Sequence, residues 1–174
     1  MRARRLSSTV RDPRLSRPLP NPIARALGRL PSGLFIVTTL HDGRPFGFLG
    51  SLVQQVGFEP PTLCIAVAKD RAQLENLLER GHFALSILDG SSQQLKALFL
   101  KRLPENASPF DGLRLRSAKS GSPILLDALA WIDCRIVGRH DTGDHAVLFG
   151  EVVGGEVLRD GEPYVHLRKN GLAY

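Results

Sequence analysis

Residues 47–71 read GFLGSLVQQVGFEPPTLCIAVAKDR, and the fold turns on how this stretch is divided. Its pattern predicts two β-strands joined at a Phe58-Glu59-Pro60-Pro61 corner. The first, 46–56, is expected to be a single strand, the antiparallel partner of the strand before it. Glycines at 47, 50 and 57 weaken its packing and let another group approach the backbone closely. The second, 62–68 (TLCIAVA), is apolar throughout and predicts a central strand buried on both faces. It empties into Lys69-Asp70-Arg71, after which Ala72 begins a helix. Two cations beside free helix N–H groups are how proteins hold phosphates, whereas a solvated turn with an Asp70–Arg71 surface pair would explain the same residues. A small-residue strand beside this tip suits a flat, phosphate-bearing cofactor.

Working outward, Asn21-Pro22 opens a short helix with Ile23, Ala26, Leu27 and Leu30 on one face, stopped by Pro31. Residues 33–40 form a strand, and His41-Asp42-Gly43 a hairpin turn. Beyond the tip, 72–80 (AQLENLLER) spaces Leu74, Leu77 and Leu78 as an amphipathic helix ending before Gly81. A strand over 82–88 follows, then a helix over 91–102 opened by a serine cap. Residues 103–122 are Pro- and Gly-punctuated and expected to be irregular, anchored by Phe110 and Leu113. Two long strands, 128–140 and 145–158, flank the Asp141-Thr142-Gly143 turn, and 163–167 is a last short strand. Six or seven strands linked mostly by hairpins, with two or three short helices, argue for a mainly β fold. An antiparallel barrel fits better than a doubly wound sheet. No Gly-x-Gly-x-x-Gly follows a strand and no Walker loop is present.

The 174 residues are enough for one domain with a real core, and 43% hydrophobic is ordinary for a globular chain. The formal charge of +6 belongs to the N-terminus. Residues 1–22 carry Arg2, Arg4, Arg5, Arg11, Arg14 and Arg17 against Asp12, together with Pro13, Pro18, Pro20 and Pro22. The expected organisation is therefore a disordered basic tail, 1–20, and a folded domain, 21–174. The tail lacks interleaved aromatics, so a nucleic-acid arm is the lesser reading. No apolar run approaches the roughly 18–20 residues that span a bilayer, and no apolar signal segment opens the chain. With two cysteines, Cys64 and Cys134, inside apolar runs, reduced thiols and a cytoplasmic location are expected.

The chemistry-bearing residues leave few enzyme classes open. His41, His82, His140, His145 and His166 are scattered without metal-ligand spacing, although His140 and His145 flank one turn; no metal is expected. No serine sits in Gly-x-Ser-x-Gly and neither cysteine has an activating cation nearby. Asp144-His145 could aim an imidazole at a ligand, or be an ordinary turn pair.

Across 23–174 the chain resembles the flavin reductase-like family, whose fold is the FMN-binding split barrel. It is most similar to the reductase domain at the C-terminus of diflavin flavodiiron proteins. The shared segments begin with Pro31-Ser32-Gly33-Leu34, Ser51-Leu52-Val53-Gln54-Gln55 and Phe58-Glu59-Pro60-Pro61. Ala66-Val67-Ala68-Lys69-Asp70-Arg71-Ala72 and Phe99-Leu100-Lys101-Arg102 follow, then Gly121-Ser122-Pro123-Ile124-Leu125 and Asp127-Ala128-Leu129-Ala130. Gly143-Asp144-His145, His166-Leu167-Arg168-Lys169-Asn170-Gly171 and Tyr174 complete the set. Each is weak alone; their order and spacing are specific.

The resemblance implies a homodimer that binds FMN non-covalently near the subunit interface and reduces it with NADH or NADPH. The activity would be that of a flavin reductase, or of the reductase component of a two-component system, passing electrons to free flavin or a redox partner. Alternatives are a flavoredoxin-like FMN electron carrier without its own nicotinamide site, and a barrel that has lost FMN. Residue by residue, Leu49, Gly50, Ser51 and Leu52, with Gln54, would line the isoalloxazine edge, largely through backbone groups. Lys69, Asp70 and Arg71 match the loop for the ribityl phosphate, and His145 would stand near the flavin or nicotinamide as the catalytic residue. Many relatives carry Thr-Ala-Ser-Ser at 49–52, and flavodiiron-linked members an aromatic at 52. Leu-Gly-Ser-Leu here removes two hydroxyls, so either backbone amides make the pairing or the flavin is held less tightly. No flavodiiron or rubredoxin segment precedes the domain, so a free-standing unit is expected. Hydride transfer between nicotinamide and flavin is the cofactors' own chemistry, which makes a site without an acid/base pair reasonable.

Overall fold

The structure, a computed structural model, describes residues 21–101, 103, 104 and 107–167. The 1–20 tail, Arg102 and 168–174, with the motif residues they contain, lie outside the described residues. The elements run α1 (Asn21–Leu27), β1 (Pro31–Ser32), β2 (Phe35–His41), β3 (Arg44–Gly50), β4 (Val53–Phe58), β5 (Pro61–Ala68) and α2 (Ala72–Arg80). They continue with β6 (His82–Ile87), α3 (Gln93–Leu100), β7 (Leu115–Ser117), β8 (Pro123–Leu125), β9 (Ala130–Asp141), β10 (His145–Val157) and β11 (His166–Leu167).

Two compact units are distinguished: 31–166, and a smaller one in which residues 21–30 and Leu167 are described. In the smaller unit α1 ends in successive backbone bonds from Gly28, Arg29 and Leu30. Ile23, Leu27 and Leu30 are exposed.

The larger unit is built on a seven-stranded antiparallel sheet of order β3-β2-β6-β9-β10-β5-β4. Its edge strands, β3 and β4, are consecutive in sequence and joined only by Ser51-Leu52. A two-residue link spans roughly 10 Å at most between Gly50 and Val53, so the sheet must curl until its edges approach there. The result is a barrel split between β3 and β4. The expected single strand over 46–56 is thus two strands on opposite edges. β3 pairs with β2 from Gly50 opposite Phe35 to Arg44 opposite His41. β4 pairs with β5 from Val53 opposite Ile65 to Phe58 opposite Pro61.

Local chemistry sets the register. Asp42 and Gly43 both have positive φ, 49° and 74°, as a two-residue hairpin loop requires. α2 ends at Gly81, whose N–H bonds the Leu77 carbonyl. On β10, a Cβ on Gly150 would meet Phe83 Cζ of β6 at 2.7 Å and Cys134 Cβ of β9 at 2.9 Å, tighter than real Cβ contacts, so glycine is favoured there.

Alternation along the strands separates two cores. Val37, Leu63, Ile65, Val67, Phe83, Leu85, Cys134, Ala146 and Leu148 pack together with Leu74 and Leu77 of α2. Leu74 and Leu77 each contribute roughly 1.5–3 kcal/mol by burial. On the opposite face of the sheet, Leu34, Ile36 and Leu88 pack with Leu95 of α3 and with Phe110, Leu125 and Ala128.

Other expectations are corrected. β5 is not buried on both faces: Leu63, Ile65 and Val67 are buried, while Thr62, Cys64, Ala66 and Ala68 alternate with them and are half-buried. It lies next to the sheet edge, so only one face has a core against it. The 103–122 segment contains β7, which pairs with β8 through Leu115 opposite Leu125. α3 begins at Gln93 with Ser92 at its cap position, and the Ser92 hydroxyl bonds Asp89 rather than capping the helix. The final strand over 163–167 reduces to a bridge between Pro163 and Asp89 and the two residues of β11.

Candidate functional site

The residues singled out by sequence gather along β5, which lies between β4 and β10. On its β4 side, the Leu52 carbonyl accepts the Ala66 N–H at 2.9 Å and Gln54 stands opposite Cys64. On its β10 side, His145 stands opposite Ala68, Val147 opposite Ala66 and Phe149 opposite Cys64. Ala66 and Ala68 are two residues apart, or about 7 Å of strand. The joint at Ser51-Leu52 and the His145 turn are therefore neighbours on one small patch. The face they share carries Cys64, Ala66, Ala68, Val147 and Phe149, all half-buried.

Leu49 is placed differently from its neighbours. Its side chain packs against the cluster of Leu34, Ile36, Leu88, Leu95 and Phe110, so it is a core residue as well as part of the joint. Gly50 follows, then Ser51, which is buried. Gln54 is exposed and donates to the Gln55 carbonyl at 3.3 Å.

The cationic tip divides into two parts. Arg71 occupies the N-cap of α2 in an extended conformation and supplies no side-chain cap. Its own N–H bonds the Ala68 carbonyl, and its carbonyl accepts from Leu74. The N–H groups of Ala72 and Gln73 have no backbone acceptor among the described residues. The start of α2 therefore presents the positive end of the helix dipole together with these backbone donors. Asp70 is exposed beside it. Lys69 instead turns to the β9–β10 loop. Its Nζ donates to the carbonyls of Thr142 at 2.6 Å and Gly143 at 3.3 Å. It also lies 3.5 Å from the Asp141 carboxylate.

That loop holds His145. The Thr142 N–H and hydroxyl both donate to the His145 carbonyl, at 2.8 and 2.9 Å. Asp144 Oδ1 is 2.9 Å from His145 Nδ1, and this bond holds the Asp144 carboxyl below the usual carboxylate range. With Nδ1 engaged, Nε2 is the ring nitrogen a ligand would meet. Asp141, which the sequence marked only as a turn residue, accepts a fork from Arg139 at 2.6 and 2.9 Å. Its carboxyl is lowered chiefly by that bond. The signal was an Arg and an Asp two apart on one strand, hence on one face.

His140 stands opposite Val147, not opposite His145. No group of three or more His, Cys, Asp or Glu converges among the described residues. Two clefts, of about 280 and 820 Å³, lie at the β2–β3 hairpin around His41 and Asp42, away from this patch. The patch is an open sheet face. Among the described residues, no helix is long and apolar enough to cross a membrane.

Comparison with known proteins gives a consistent outcome. The profile of the flavin reductase like domain matches residues 27–171. Diflavin flavoprotein A 1 of Synechocystis sp. is 40% identical over 159 residues, 90% of this chain but 28% of that protein's length. The crystal structure of nitrilotriacetate monooxygenase component B from Mycobacterium thermoresistibile superposes with a TM-score of 0.78 at 33% identity, covering 84% of this chain and 82% of that one. BorF, the flavin reductase component of a bacterial two-component tryptophan halogenase, gives a TM-score of 0.72 at 27% identity, covering 80% and 88%.

Proposed function

The chain belongs to the flavin reductase like domain family, and from that premise we propose that it is an FMN-dependent NAD(P)H:flavin oxidoreductase. The flavin-binding domain is 21–174, carried behind a basic tail, 1–20. It acts as a homodimer in the cytoplasm and delivers electrons to free flavin or to a partner enzyme, as a reductase component does.

The observation that carries this reading is the convergence on β5 of three features. They are a backbone joint at Ser51-Leu52, an uncapped helix start at Arg71-Ala72, and an Asp144-oriented imidazole at His145. The donor set fits FMN. Arg71 and the Ala72 and Gln73 amides suit a phosphate dianion. The Ala66 and Ala68 side chains leave the sheet low enough for a flat ring to approach. FMN, when bound, supplies the capacity to take a hydride from a nicotinamide. The protein's residues then hold the phosphate, orient the ring system and present His145 Nε2 to whichever cofactor lies against it.

The homodimer is supported by the apolar face of Cys64, Ala66, Ala68, Val147 and Phe149, which is only half-buried within the subunit. A second subunit on that face would turn an open patch into the dry pocket hydride transfer needs. The two cysteines are free thiols, Cys64 half-buried and Cys134 buried, in keeping with a reducing compartment.

The test is NAD(P)H oxidation by the purified protein loaded with FMN. Saturable dependence on one nicotinamide, faster than with free FMN alone, is expected; a rate equal to that of free FMN refutes the reading.

A further inference from the structure

We infer that Lys69 is a positioning residue that clasps the β9–β10 turn and thereby fixes His145, leaving phosphate recognition to Arg71 and the start of α2. The inference rests on the flavin reductase reading for its functional consequence, but the clasp itself is a property of the protein alone.

An ammonium has three N–H donors. Those of Lys69 are matched by three acceptors: the Thr142 carbonyl at 2.6 Å, the Gly143 carbonyl at 3.3 Å and the Asp141 carboxylate at 3.5 Å. All three belong to one turn. The Lys69 backbone grips it too, its N–H donating to the Asp144 carbonyl at 2.9 Å. Asp141 is not a loose partner, because Arg139 holds it with two bonds from β9. The turn is tied from within by Thr142, which donates twice to the His145 carbonyl. Lys69 ties it from outside, to the end of β5.

A phosphate drawing Lys69 away would have to replace three acceptors that are already in place. Arg71 lies two residues on, at the N-cap of α2, and Ala72 and Gln73 follow it in the first turn of that helix. The sequence Lys-Asp-Arg therefore splits its labour: the first residue points back to the hairpin and the third serves the helix start. Because Asp144 and His145 sit on the clasped turn, loosening it blurs the placement of the imidazole without touching the phosphate end.

The experiment compares wild type with Lys69→Met and Lys69→Arg. Amide hydrogen exchange over 142–145 is read in protein without added flavin, FMN affinity by quenching of flavin fluorescence, and KM for NAD(P)H by steady-state kinetics. K69M should exchange about tenfold faster in the turn, the scale of losing charge-assisted bonds to it. Its FMN Kd should stay within about twofold of wild type, and its KM for nicotinamide should rise more than its kcat falls. K69R can donate to the same carbonyls and should restore protection. An FMN Kd raised about tenfold or more in K69M, or turn exchange unchanged in that variant, overturns the inference. If wild type binds no FMN, the functional proposal fails while turn exchange still decides whether Lys69 is a clasp.

Discussion

Replacing Arg159 by methionine should destabilise the fold by about 2–3 kcal/mol at neutral pH while leaving the β5 patch intact. The magnitude follows from what surrounds Asp89. Its side chain is 7% exposed and it receives Arg159 twice, at 2.5 Å on Oδ2 and 2.8 Å on Oδ1. Oδ1 also accepts the Ser91 N–H at 3.0 Å, the Ser91 hydroxyl at 2.9 Å and the Ser92 hydroxyl at 2.7 Å. In Arg159→Met, Oδ1 keeps three donors, but Oδ2 loses its arginine donor and the buried charge loses its counter-ion. Breaking a fully buried pair costs about 3–5 kcal/mol; Arg159 is 35% exposed, and solvent screening brings the cost to the bottom of that range or just below it, about 2–3 kcal/mol.

The pH dependence supplies a second signature. The Arg159 bond, aided by the serines, holds the Asp89 carboxyl far below the usual carboxylate range. A depressed carboxyl contributes stability that is fully present above its unfolded pKa of about 3.9 and is lost as pH falls through the folded value. Without Arg159 the folded carboxyl rises, so the gap between wild type and variant should be constant from neutrality to about pH 4 and narrow below it. Urea unfolding followed by tryptophan fluorescence at neutral pH and at about pH 3 measures both terms. A difference under about 0.5 kcal/mol at neutral pH, or a gap that widens in acid, would refute the argument.

Four further outcomes are expected. Arg71→Met should raise the FMN Kd about tenfold or more by removing the cation at the α2 start, as read by equilibrium dialysis. Asp144→Asn should lower kcat/KM for NAD(P)H about three- to tenfold with FMN affinity unchanged; since the Asp144 carboxyl is depressed by His145, the two proteins should converge only in acid, which a pH profile of kcat/KM tests. Gly150→Val drives a side chain into Phe83 and Cys134 and should cost roughly 1–3 kcal/mol in thermal unfolding. Cys134, buried and with its thiol pushed up to about 12 by burial and then by Asp133, should resist iodoacetamide until the protein unfolds, whereas half-buried Cys64 reacts first; peptide mass mapping distinguishes them.

Much of this architecture is written locally. The Leu74, Leu77 and Leu78 spacing and Gly81 delimit α2, and Asp42-Gly43 dictates the β2–β3 hairpin, because propensity and turn chemistry act over a few residues. The break at Ser51-Leu52 was not legible. Both halves of 46–56 have strand composition, and only the closing of the sheet assigns them to different edges. β5 misled for a related reason: an all-apolar run signals burial on both faces, but Cys64, Ala66 and Ala68 lie on a face that is only half-buried. In the 103–122 segment, β7 depends on a partner at 123–125 rather than on its own residues. The site followed the same rule. Lys69 and Arg71 were visible as cations, but the direction of Lys69 is set by a turn more than 70 residues away.

The joint between the sheet edges limits, under the proposed function, how a flavin could be held. The side chain of Leu49 packs against the cluster that contains Ile36, Leu95 and Phe110. Leu49 therefore gives the joint an apolar anchor in that cluster. Leu52 engages its carbonyl with Ala66, so its backbone serves the strand pairing before it serves any ligand. What this joint can offer a ring is backbone N–H groups and the buried Ser51. The joint itself carries no charged side chain; the cations follow the C-terminal end of β5, past Ala68. Recognition should therefore be weighted toward the phosphate, and it is there, at Arg71 and the uncapped turn of α2, that substitution should cut deepest into FMN affinity.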